Sequence, residues 1–440
     1  MKSMSKKSRL LFVVAIHLIT IFVALFIPSV QAATFCVSDA TRLQDALTQA
    51  ASNGEDDTIK IQQGTYVGNF VYASYDANTI TIEGGCTAGC ASRTIDPANT
   101  VLDGNGSGNV LEISTDKASS AKIDGLTFKN GGASNDHGGG LYFKAPCDNL
   151  EVDGCVFTGN SALYGGGVYA YADNKVTLTD NNFAGNSASY GSGICSYAFR
   201  HGSVTFTNNT FYANEGGAIR AHLYYADAIA RIYNNILWMN IAPNGADLWI
   251  DNDWNNDFLP SPVELLNNDF DHSGAGTYIK IPFSIDPSNL NKADPLFVDA
   301  TNGDLHLSSG SPCINTGDND APGLPSTDKD GNSRICDGTG DMGAYEFTVF
   351  NVEPSGQCGA KTPCYSIIQE AIDAVFETGT IRISEGTHSG TPTVNTAGKK
   401  VTLEGGWDTT FKNQIGTTIL RNTPKAPNGS ITLQNLNIKP

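Results

Sequence analysis

Apolar and polar residues alternate along much of the chain in short stretches, and these stretches recur at a regular spacing. An apolar anchor followed three residues later by asparagine occurs at Phe157-Thr-Gly-Asn160, Phe183-Ala-Gly-Asn186 and Phe211-Tyr-Ala-Asn214. The apolar anchors lie at positions 128, 157, 183, 211, 237 and 270, at steps of 29, 26, 28, 26 and 33 residues. Because such alternation is typical of β-strands with one buried face, the chain is predicted to repeat a strand-containing unit.

A glycine-rich element lies between successive anchors, as in Gly138-Gly-Gly-Leu141, Gly165-Gly-Gly-Val168 and Gly216-Gly-Ala-Ile219. Each unit therefore holds two strands, each with its own turn. A unit of this size cannot bury its apolar face alone, so it must stack on its neighbours. The sequence predicts an all-β solenoid, a parallel β-helix, in which the recurrent asparagines form a ladder of side-chain amides at one bend.

Leu43-Gln-Asp-Ala-Leu47 precedes the repeats and has the apolar spacing of an amphipathic helix, with a stop at Asn53-Gly54. We expect this helix to cap the N-terminal end of the solenoid, where unpaired strand edges would otherwise favour aggregation.

A second copy of this opening lies near the C-terminus. Its three blocks repeat the N-terminal ones at offsets of 325, 322 and 321 residues: Ile368-Gln-Glu-Ala-Ile372 repeats 43–47, Thr380-Ile-Arg-Ile-Ser-Glu-Gly-Thr387 repeats 58–65, and Val401-Thr-Leu-Glu-Gly-Gly406 repeats 80–85. We therefore predict a β-helix over 33–347, with a closing segment at 294–347, and a short second β-helix-like unit over 348–440. Since about three coils bury little apolar surface, we expect the second unit to dock on a partner, with the first β-helix favoured.

The first 32 residues carry four basic residues, an apolar run over 10–27 and a small-residue site at Val30-Gln-Ala32. This pattern predicts a signal peptide and a secreted or cell-surface protein, including attachment at the outer membrane; the alternative is that the run stays in the membrane as an anchor. Removing the leader, which has no acidic residue, changes the net charge from −18 to −22. Such a surface disfavours nucleic acid, anionic lipid and polyuronate. No later apolar stretch is long enough for a transmembrane segment.

All ten cysteines lie beyond the leader and no Cys-x-x-Cys motif occurs, which favours disulfides over metal binding. A solenoid brings residues that are near in sequence or one coil apart within bonding range. We predict the pairs Cys313–Cys336, Cys358–Cys364 and Cys36–Cys90. The pairing of the cysteines at 86, 147, 155 and 195 stays open.

The sequence after the repeats resembles a known family. The residues that carry the resemblance are Asp294-Pro-Leu-Phe297, Asn302-Gly-Asp304, Gly310-Ser-Pro312, Asn315-Thr-Gly-Asp318, Asp328-Lys-Asp-Gly331 and Asp341-Met-Gly-Ala-Tyr-Glu346. They are similar to the closing segment of bacterial right-handed β-helix repeat proteins of the pectin-lyase-like superfamily, of the choice-of-anchor surface type. The repeat at 211–219 also resembles that of polymorphic outer membrane proteins. The resemblance implies a right-handed parallel β-helix outside the cytoplasm, and most such proteins have no assigned activity.

Enzymes of this fold mark their sites with acidic residues. Trp249-Ile-Asp251-Asn-Asp253 resembles the Trp-Ile-Asp-His stretch of pectate lyases, but the companion arginine motif is missing and Asp253 is expected at a turn. The motifs of polygalacturonases occur only as scattered fragments, out of order. We therefore assign no catalytic residue, and keep a polysaccharide lyase or glycoside hydrolase as the alternative function.

Aspartates are dense around Gly331, and Asp328, Asp330 and Asp341 are candidate calcium ligands, so calcium is the one cofactor considered. In the alternative interpretation, Arg334 pairs with one of these aspartates and the others are solvated turn residues.

Aromatic residues recur near the coil bends, where they form a candidate platform for sugar rings or, alternatively, stack within the protein: Tyr142, Tyr169, Tyr197, Tyr224, Tyr225, Trp238 and Trp249. The leading functional prediction is a binding, adhesive or structural role toward a polysaccharide or a cell-surface partner, with no nucleic-acid partner.

Overall fold

The computed structural model describes residues 32–440 except 118, 146–148, 200, 226, 253–261, 281–282, 337, 360, 362, 376–377 and 440. The side chains of residues 134 and 135 are likewise not described. The predicted leader lies outside the described residues except for Ala32. Three long parallel sheets, here called A, B and C, form a parallel β-solenoid as predicted. In the part of the chain described, no helix is long and apolar enough to cross a membrane.

Sheet A has nine strands, in this order: β1 (Thr34–Val37), β2 (Asp57–Gln62), β5 (Ile80–Cys86), β8 (Ala121–Asp124), β12 (Asn149–Asp153), β16 (Lys175–Thr179), β20 (Ser203–Thr207), β23 (Ile229–Tyr233) and β26 (Val263–Leu266). Sheet B also has nine: β3 (Gly64–Val67), β6 (Thr100–Asp103), β9 (Thr127–Lys129), β13 (Val156–Thr158), β17 (Asn182–Ala184), β21 (Thr210–Tyr212), β24 (Ile236–Trp238), β27 (Asp269–Phe270) and β29 (Leu290–Asn291).

Sheet C has eight strands: β4 (Phe70–Ser74), β7 (Leu111–Thr115), β11 (Leu141–Ala145), β15 (Val168–Ala172), β19 (Ile194–Ala198), β22 (Ile219–Leu223), β25 (Leu248–Asp251) and β28 (Thr277–Ile279). A short parallel sheet D lies beside it, formed by β10 (Gly132–His137), β14 (Ser161–Tyr164) and β18 (Ser187–Tyr190). Each coil of the solenoid therefore contributes one strand to each of the three long sheets.

The predicted apolar anchors stack inside the solenoid. Phe128, Phe157, Phe183 and Phe211 occupy the same position on successive strands of sheet B, with ring centroids 4.8, 4.9 and 4.6 Å apart and nearly parallel planes. All four rings are fully buried. Since each ring covers the next, the period of the sequence equals one coil, and this stacking fixes the register of the sheet.

The predicted asparagine ladder is present. In each step the side-chain Nδ2 of one asparagine donates to Oδ1 of the next at 2.9 to 3.1 Å, from Asn160 through Asn186 and Asn214 to Asn240. A second ladder at another bend was not predicted, and it joins Asn181, Asn209, Asn235, Asn268 and Asn289 at 2.9 to 3.0 Å. Because every amide except the half-buried one of Asn240 is buried, each ladder satisfies polar groups that would otherwise be costly to bury.

Helix α1 (Ala40–Ala50) is the predicted cap. Asp39 caps its N-terminus by accepting from the backbone N–H of Arg42 at 2.9 Å. Leu43 and Leu47 are buried in the same apolar core as the coils, so the helix covers the apolar N-terminal end of the solenoid.

The second unit repeats this design on a smaller scale. It holds helix α2 (Ile368–Ala374) and two parallel sheets. One sheet has the order β33 (Cys364–Tyr365), β32 (Val349–Val352), β34 (Thr378–Ser384), β36 (Lys400–Trp407) and β38 (Ser430–Gln434); the other has β35 (Gly386–His388), β37 (Thr418–Leu420) and β39 (Leu436–Ile438). The arrangement of β32, β34, β36 and β38 matches that of β1, β2, β5 and β8, and the unit has its own apolar core.

The chain between the two units starts with an antiparallel pair, β30 (Phe297–Asp299) and β31 (Asp304–Leu307), and then runs irregularly across the bend between sheets A and B. Asn208 of that bend donates to the carbonyls of Asp341 and Gly343, at 2.9 and 3.1 Å. This segment therefore packs along several coils at once.

Two of the three predicted disulfides are present, Cys36–Cys90 and Cys358–Cys364, with Cα atoms 5.9 and 5.8 Å apart. The predicted Cys313–Cys336 bond is wrong. Cys313 is a free, fully buried thiol in a small apolar cluster beneath the closing segment. Cys336 lies half-buried in a turn that bridges to Thr339 and is not a member of that apolar cluster.

Candidate functional site

The outward face of sheet C differs in chemistry from the outward face of sheet A. Along sheet A, the register aligns threonines and charged residues in one column: Thr81, Lys122, Glu151, Thr177, Thr205, Arg231 and Glu264. Along sheet C, the corresponding columns carry rings and a few polar groups: Tyr142, Tyr169, Cys195, Arg220, Trp249 and Tyr278 in one, and Lys144, Tyr171, Tyr197, His222 and Asp251 in the other. Compared with sheet A, the face of sheet C thus offers aromatic surface on several successive coils.

Arg220 lies at the centre of a group of rings. Its Cζ is 5.0 Å from the ring centroid of Tyr190, 5.8 Å from that of Trp249 and 6.0 Å from that of Tyr164. Tyr164 and Tyr190 come from sheet D, whereas Arg220 and Trp249 come from adjacent strands of sheet C. The guanidinium therefore joins the two sheets through cation–π contacts.

Asp251 holds three side chains of this site in place. Its Oδ2 accepts from Arg220 Nη2 at 3.1 Å and from Trp249 Nε1 at 2.7 Å, and its Oδ1 lies 2.7 Å from Nδ1 of His222. Burial would raise the pKa of Asp251, but the hydrogen bond from His222 and the charge of Arg220 hold it below its usual value. The carboxylate is therefore ionised at neutral pH and accepts a hydrogen bond from His222 Nδ1–H.

A pocket of about 280 Å³ opens between sheets C and D beside these residues. Tyr190, Arg220 and Trp249 line it, together with the glycine turns that precede β19 and β22 and the turn before β25. Tyr190 remains 39% exposed and Tyr278, which packs on Trp249 at 4.5 Å, remains 38% exposed. Ring surface is thus accessible at the mouth of the pocket.

The other rings of this face stack mainly on one another. His137 stacks on Tyr164 and Tyr164 on Tyr190, at 5.1 Å in both pairs, and Tyr142 stacks on Tyr169 at 5.6 Å. Burial raises the pKa of Tyr169 and of Tyr197 well above the usual range. The stacking interpretation thus holds for the inner rings, while Tyr190, Trp249 and Tyr278 reach the surface. Trp238 does not belong to this face, because β24 is a strand of sheet B.

The predicted calcium ligands do not converge. In the regions that the structure describes, no three His, Cys, Asp or Glu side chains are placed to hold a metal ion. Asp328 accepts from the backbone N–H groups of Asp330, Asn332 and Glu346, and Asp341 accepts from those of Asn315 and Phe347. These carboxylates serve as acceptors for the irregular closing segment instead of as metal ligands.

Asp330 has a different partner from Asp328 and Asp341. Its Oδ2 lies 2.7 Å from Nε2 of His306, and Nδ1 of His306 lies 2.6 Å from Oδ1 of Asp304. Burial alone would lower the pKa of His306, but the hydrogen bonds and charges of the two aspartates raise it to about 10. His306 is therefore a buried imidazolium that links two carboxylates.

Arg334 is fully buried, but its partner is not one of the nearby aspartates. Its Nη2 lies 2.6 Å from Oδ1 of Asp180, in the turn between β16 and β17, and its Nη1 lies 3.8 Å from Oε2 of Glu346. The alternative interpretation is thus correct that Arg334 forms an ion pair, and wrong about the partner. The bond to Asp180 fastens the closing segment to the coils.

The sequence pointed to Trp249 and Asp251 through a resemblance, and it did not single out Arg220. The arginine that accompanies Asp251 stands on the preceding coil, 31 residues earlier, so no local motif contains both. An alignment of the residues that follow each glycine turn would have singled out Arg220, because Arg220 occupies the strand position that Tyr142 and Tyr169 occupy on earlier coils. Asp253, the other acidic residue of the resembling stretch, lies outside the described residues.

One comparison with known proteins, with protein-family models, agrees with the architecture. Residues 62–237 match a family model described as a right handed beta helix region, so these coils form a right-handed β-helix. No curated protein matches the chain. One solved structure, of a PL6 family alginate lyase called AlyGC, aligns at 12% sequence identity and a TM-score of 0.23, covering 92% of this chain and 71% of that chain.

Proposed function

We propose that this protein is an extracytoplasmic carbohydrate-binding protein and that the pocket between sheets C and D is its binding site. The observation that carries the proposal is the contrast between the two outward faces: aromatic and charged side chains occupy sheet C at positions where sheet A carries threonine and simple ion pairs. Two disulfides support a location outside the cytoplasm.

The chemistry of the pocket fits sugar rings. Tyr190, Trp249 and Tyr278 offer apolar ring surface for the C–H face of a sugar, while Arg220 offers N–H donors to hydroxyl oxygens. The coils stack in parallel register along the solenoid axis, so an extended chain lying along sheet C would meet similar groups on successive coils. A polysaccharide therefore fits this face better than a compact ligand.

A neutral polysaccharide is favoured over an acidic one. The charge of Arg220 is balanced by Asp251 at 3.1 Å, so the pocket has little net positive charge to offer a uronate. The whole chain is strongly acidic and would repel a polyanion at a distance.

The geometry favours binding over hydrolysis. A glycoside hydrolase needs two carboxyl groups flanking the scissile bond, one of them with a raised pKa. Among the residues described at the pocket, Asp251 has both oxygens occupied by donors, and its pKa is lowered. An ionised, fully bonded carboxylate is a poor general acid.

A glycan array that includes neutral and acidic polysaccharides tests the proposal, followed by calorimetry on the best ligand. We expect Tyr190→Ala and Trp249→Ala each to weaken binding by about 3- to 10-fold, since each removes an aromatic contact. Tyr75→Ala is the matched control, because Tyr75 is exposed and lies on an early coil away from the pocket. The proposal fails if no glycan binds, or if the three variants bind equally. Reducing ends or unsaturated products in the same samples would show the enzymatic alternative.

A further inference from the structure

The second unit faces the closing segment across polar surfaces. Thr380, Thr402 and Thr432 lie at equivalent positions on β34, β36 and β38, and they face Ser308 and Ser309 of the closing segment. The apolar cores of the two units are separate clusters. A polar boundary of this kind gives little hydrophobic resistance to relative motion of two units.

Two cavities flank this boundary. The smaller one, of about 270 Å³, lies between the threonine face and the closing segment. The larger one, of about 740 Å³, has the outward face of sheet B as its floor, including Val156, Thr158 and Ala184, and the loop at 396–400 of the second unit as its cover. His306 and Lys400 line both cavities. The second unit thus covers part of sheet B without filling the space above it.

A relay of charges spans the boundary between the cavities. Lys400 Nζ donates to Asp304 Oδ2 at 2.8 Å, and the other oxygen of Asp304 binds His306, which in turn binds Asp330. The positive and negative charges alternate along this relay. Asp304 and His306 are largely buried, whereas the side chain of Lys400 is 48% exposed. The link to the second unit is therefore the part of the relay most accessible to solvent and salt.

We infer that the second unit is a movable cover over the cavity above sheet B, held closed by the Lys400–Asp304 ion pair. Phe347 packs with the closing segment and β32 begins at Val349, so the hinge lies at Thr348. Opening exposes the floor strands β13 and β17, with Lys329, Asp330 and Tyr345 at the rim. Salt promotes opening by screening the exposed ion pair, while His306 and Asp330 stay in place.

Thiol labelling on the full chain tests this inference. Thr158→Cys places a thiol on the cavity floor, and Thr81→Cys places a matched thiol on the outward face of sheet A, far from the second unit. Each is labelled with a maleimide reagent, and the rate at each site is read by peptide mass spectrometry. If the cover opens quickly compared with labelling, the rate at the floor follows the open population.

The closing contact is removed by Lys400→Met, with Lys412→Met as control, because Lys412 is an exposed lysine of the same unit. We expect Lys400→Met to speed labelling at the floor by about 2- to 5-fold, the range that an exposed ion pair supports. We expect 0.5 M salt to have an effect of about the same size, 2- to 5-fold, when Lys400 is present. The labelling rate at position 81 should not change with either treatment, and Lys412→Met should leave the labelling rate at the floor unchanged. The inference is overturned if the floor labels at one rate in all backgrounds and salts, or as fast as position 81 throughout.

Discussion

The indole N–H of Trp249 donates to the carboxylate of Asp251 two residues along the same strand, with Nε1 and Oδ2 2.7 Å apart. Alternate residues of a strand point to the same side, so both side chains stand on the outward face of sheet C. The same oxygen accepts from Arg220 of the neighbouring coil. One carboxylate therefore orients both the ring and the cation of the proposed binding site.

Replacing Asp251 with asparagine should destabilise the fold by about 3 kcal/mol, because breaking a largely buried ion pair leaves Arg220 uncompensated. Urea unfolding followed by near-ultraviolet circular dichroism measures this change. The matched control is Glu264→Gln, which breaks the half-exposed pair with Arg231 on sheet A and should cost less than about 1 kcal/mol. Equal effects of the two substitutions would mean that Asp251 has no special role.

Cys313 should react with an alkylating reagent only after unfolding, since its thiol is fully buried, and burial raises its pKa well above the usual range. Peptide mapping without reductant should find Cys36 bonded to Cys90 and Cys358 bonded to Cys364. Recovery of a peptide that joins Cys313 to Cys336 would contradict the structure and restore the pairing expected from the sequence.

The repeats were predictable because each one is a local pattern that the next coil copies. The spacing of Phe157 and Asn160 was enough to predict their roles, and the structure confirms the ring stack and the amide ladder. The second ladder was missed although its asparagines also recur, each two residues before an apolar anchor, as Asn181 stands before Phe183 and Asn209 before Phe211. The core and the caps of such a solenoid are therefore readable from its sequence.

The contacts that lie outside the period were not predictable. The closing segment has no repeat, and Arg334 finds its partner Asp180 at a distance of 154 residues along the chain. The density of aspartates around Gly331 suggested calcium, whereas the structure uses Asp328 to satisfy backbone N–H groups. Carboxylates that bind a metal and carboxylates that cap an irregular turn have the same composition, and only their convergence in space distinguishes them.

Stability should fall as the pH rises from about 6 to about 10. Burial raises the pKa of Glu346 to about 9, so the folded state holds a proton that the unfolded state, near 4.5, has already lost. The raised pKa of His306, about 10 against 6.5, acts in the same direction, since its stabilising charge is lost as the pH rises. In both cases the folded state binds more protons across this window, which lowers the free energy of unfolding at higher pH.

Urea midpoints measured at intervals across that window test the expectation. Glu346→Gln should flatten the pH dependence, because the amide does not titrate. Glu353→Gln is the control: Glu353 is partly exposed and its pKa is lowered, so it is ionised in both states throughout the window and its loss should leave the slope unchanged. A midpoint that stays constant or rises toward pH 10 would contradict the raised pKa values of both Glu346 and His306.

The last prediction separates the charge of Arg220 from its shape, and it rests on the proposed carbohydrate site. Arg220→Lys keeps a positive charge beside Asp251, but a lysine ammonium cannot present the planar surface that now lies 5.0 Å from the ring of Tyr190. We expect the lysine variant to unfold near the urea midpoint of the unaltered protein and to bind the glycan about tenfold more weakly, because an ammonium lacks the planar fork of N–H donors that the guanidinium offers to sugar hydroxyls. Arg220→Met should lose both stability and binding, because it leaves the carboxylate of Asp251 without its cation. Calorimetry for the glycan and urea unfolding for the fold give the two readouts on the same samples. If the lysine variant binds as tightly as the arginine, the guanidinium serves only to balance Asp251, and the ligand must be held by the rings alone.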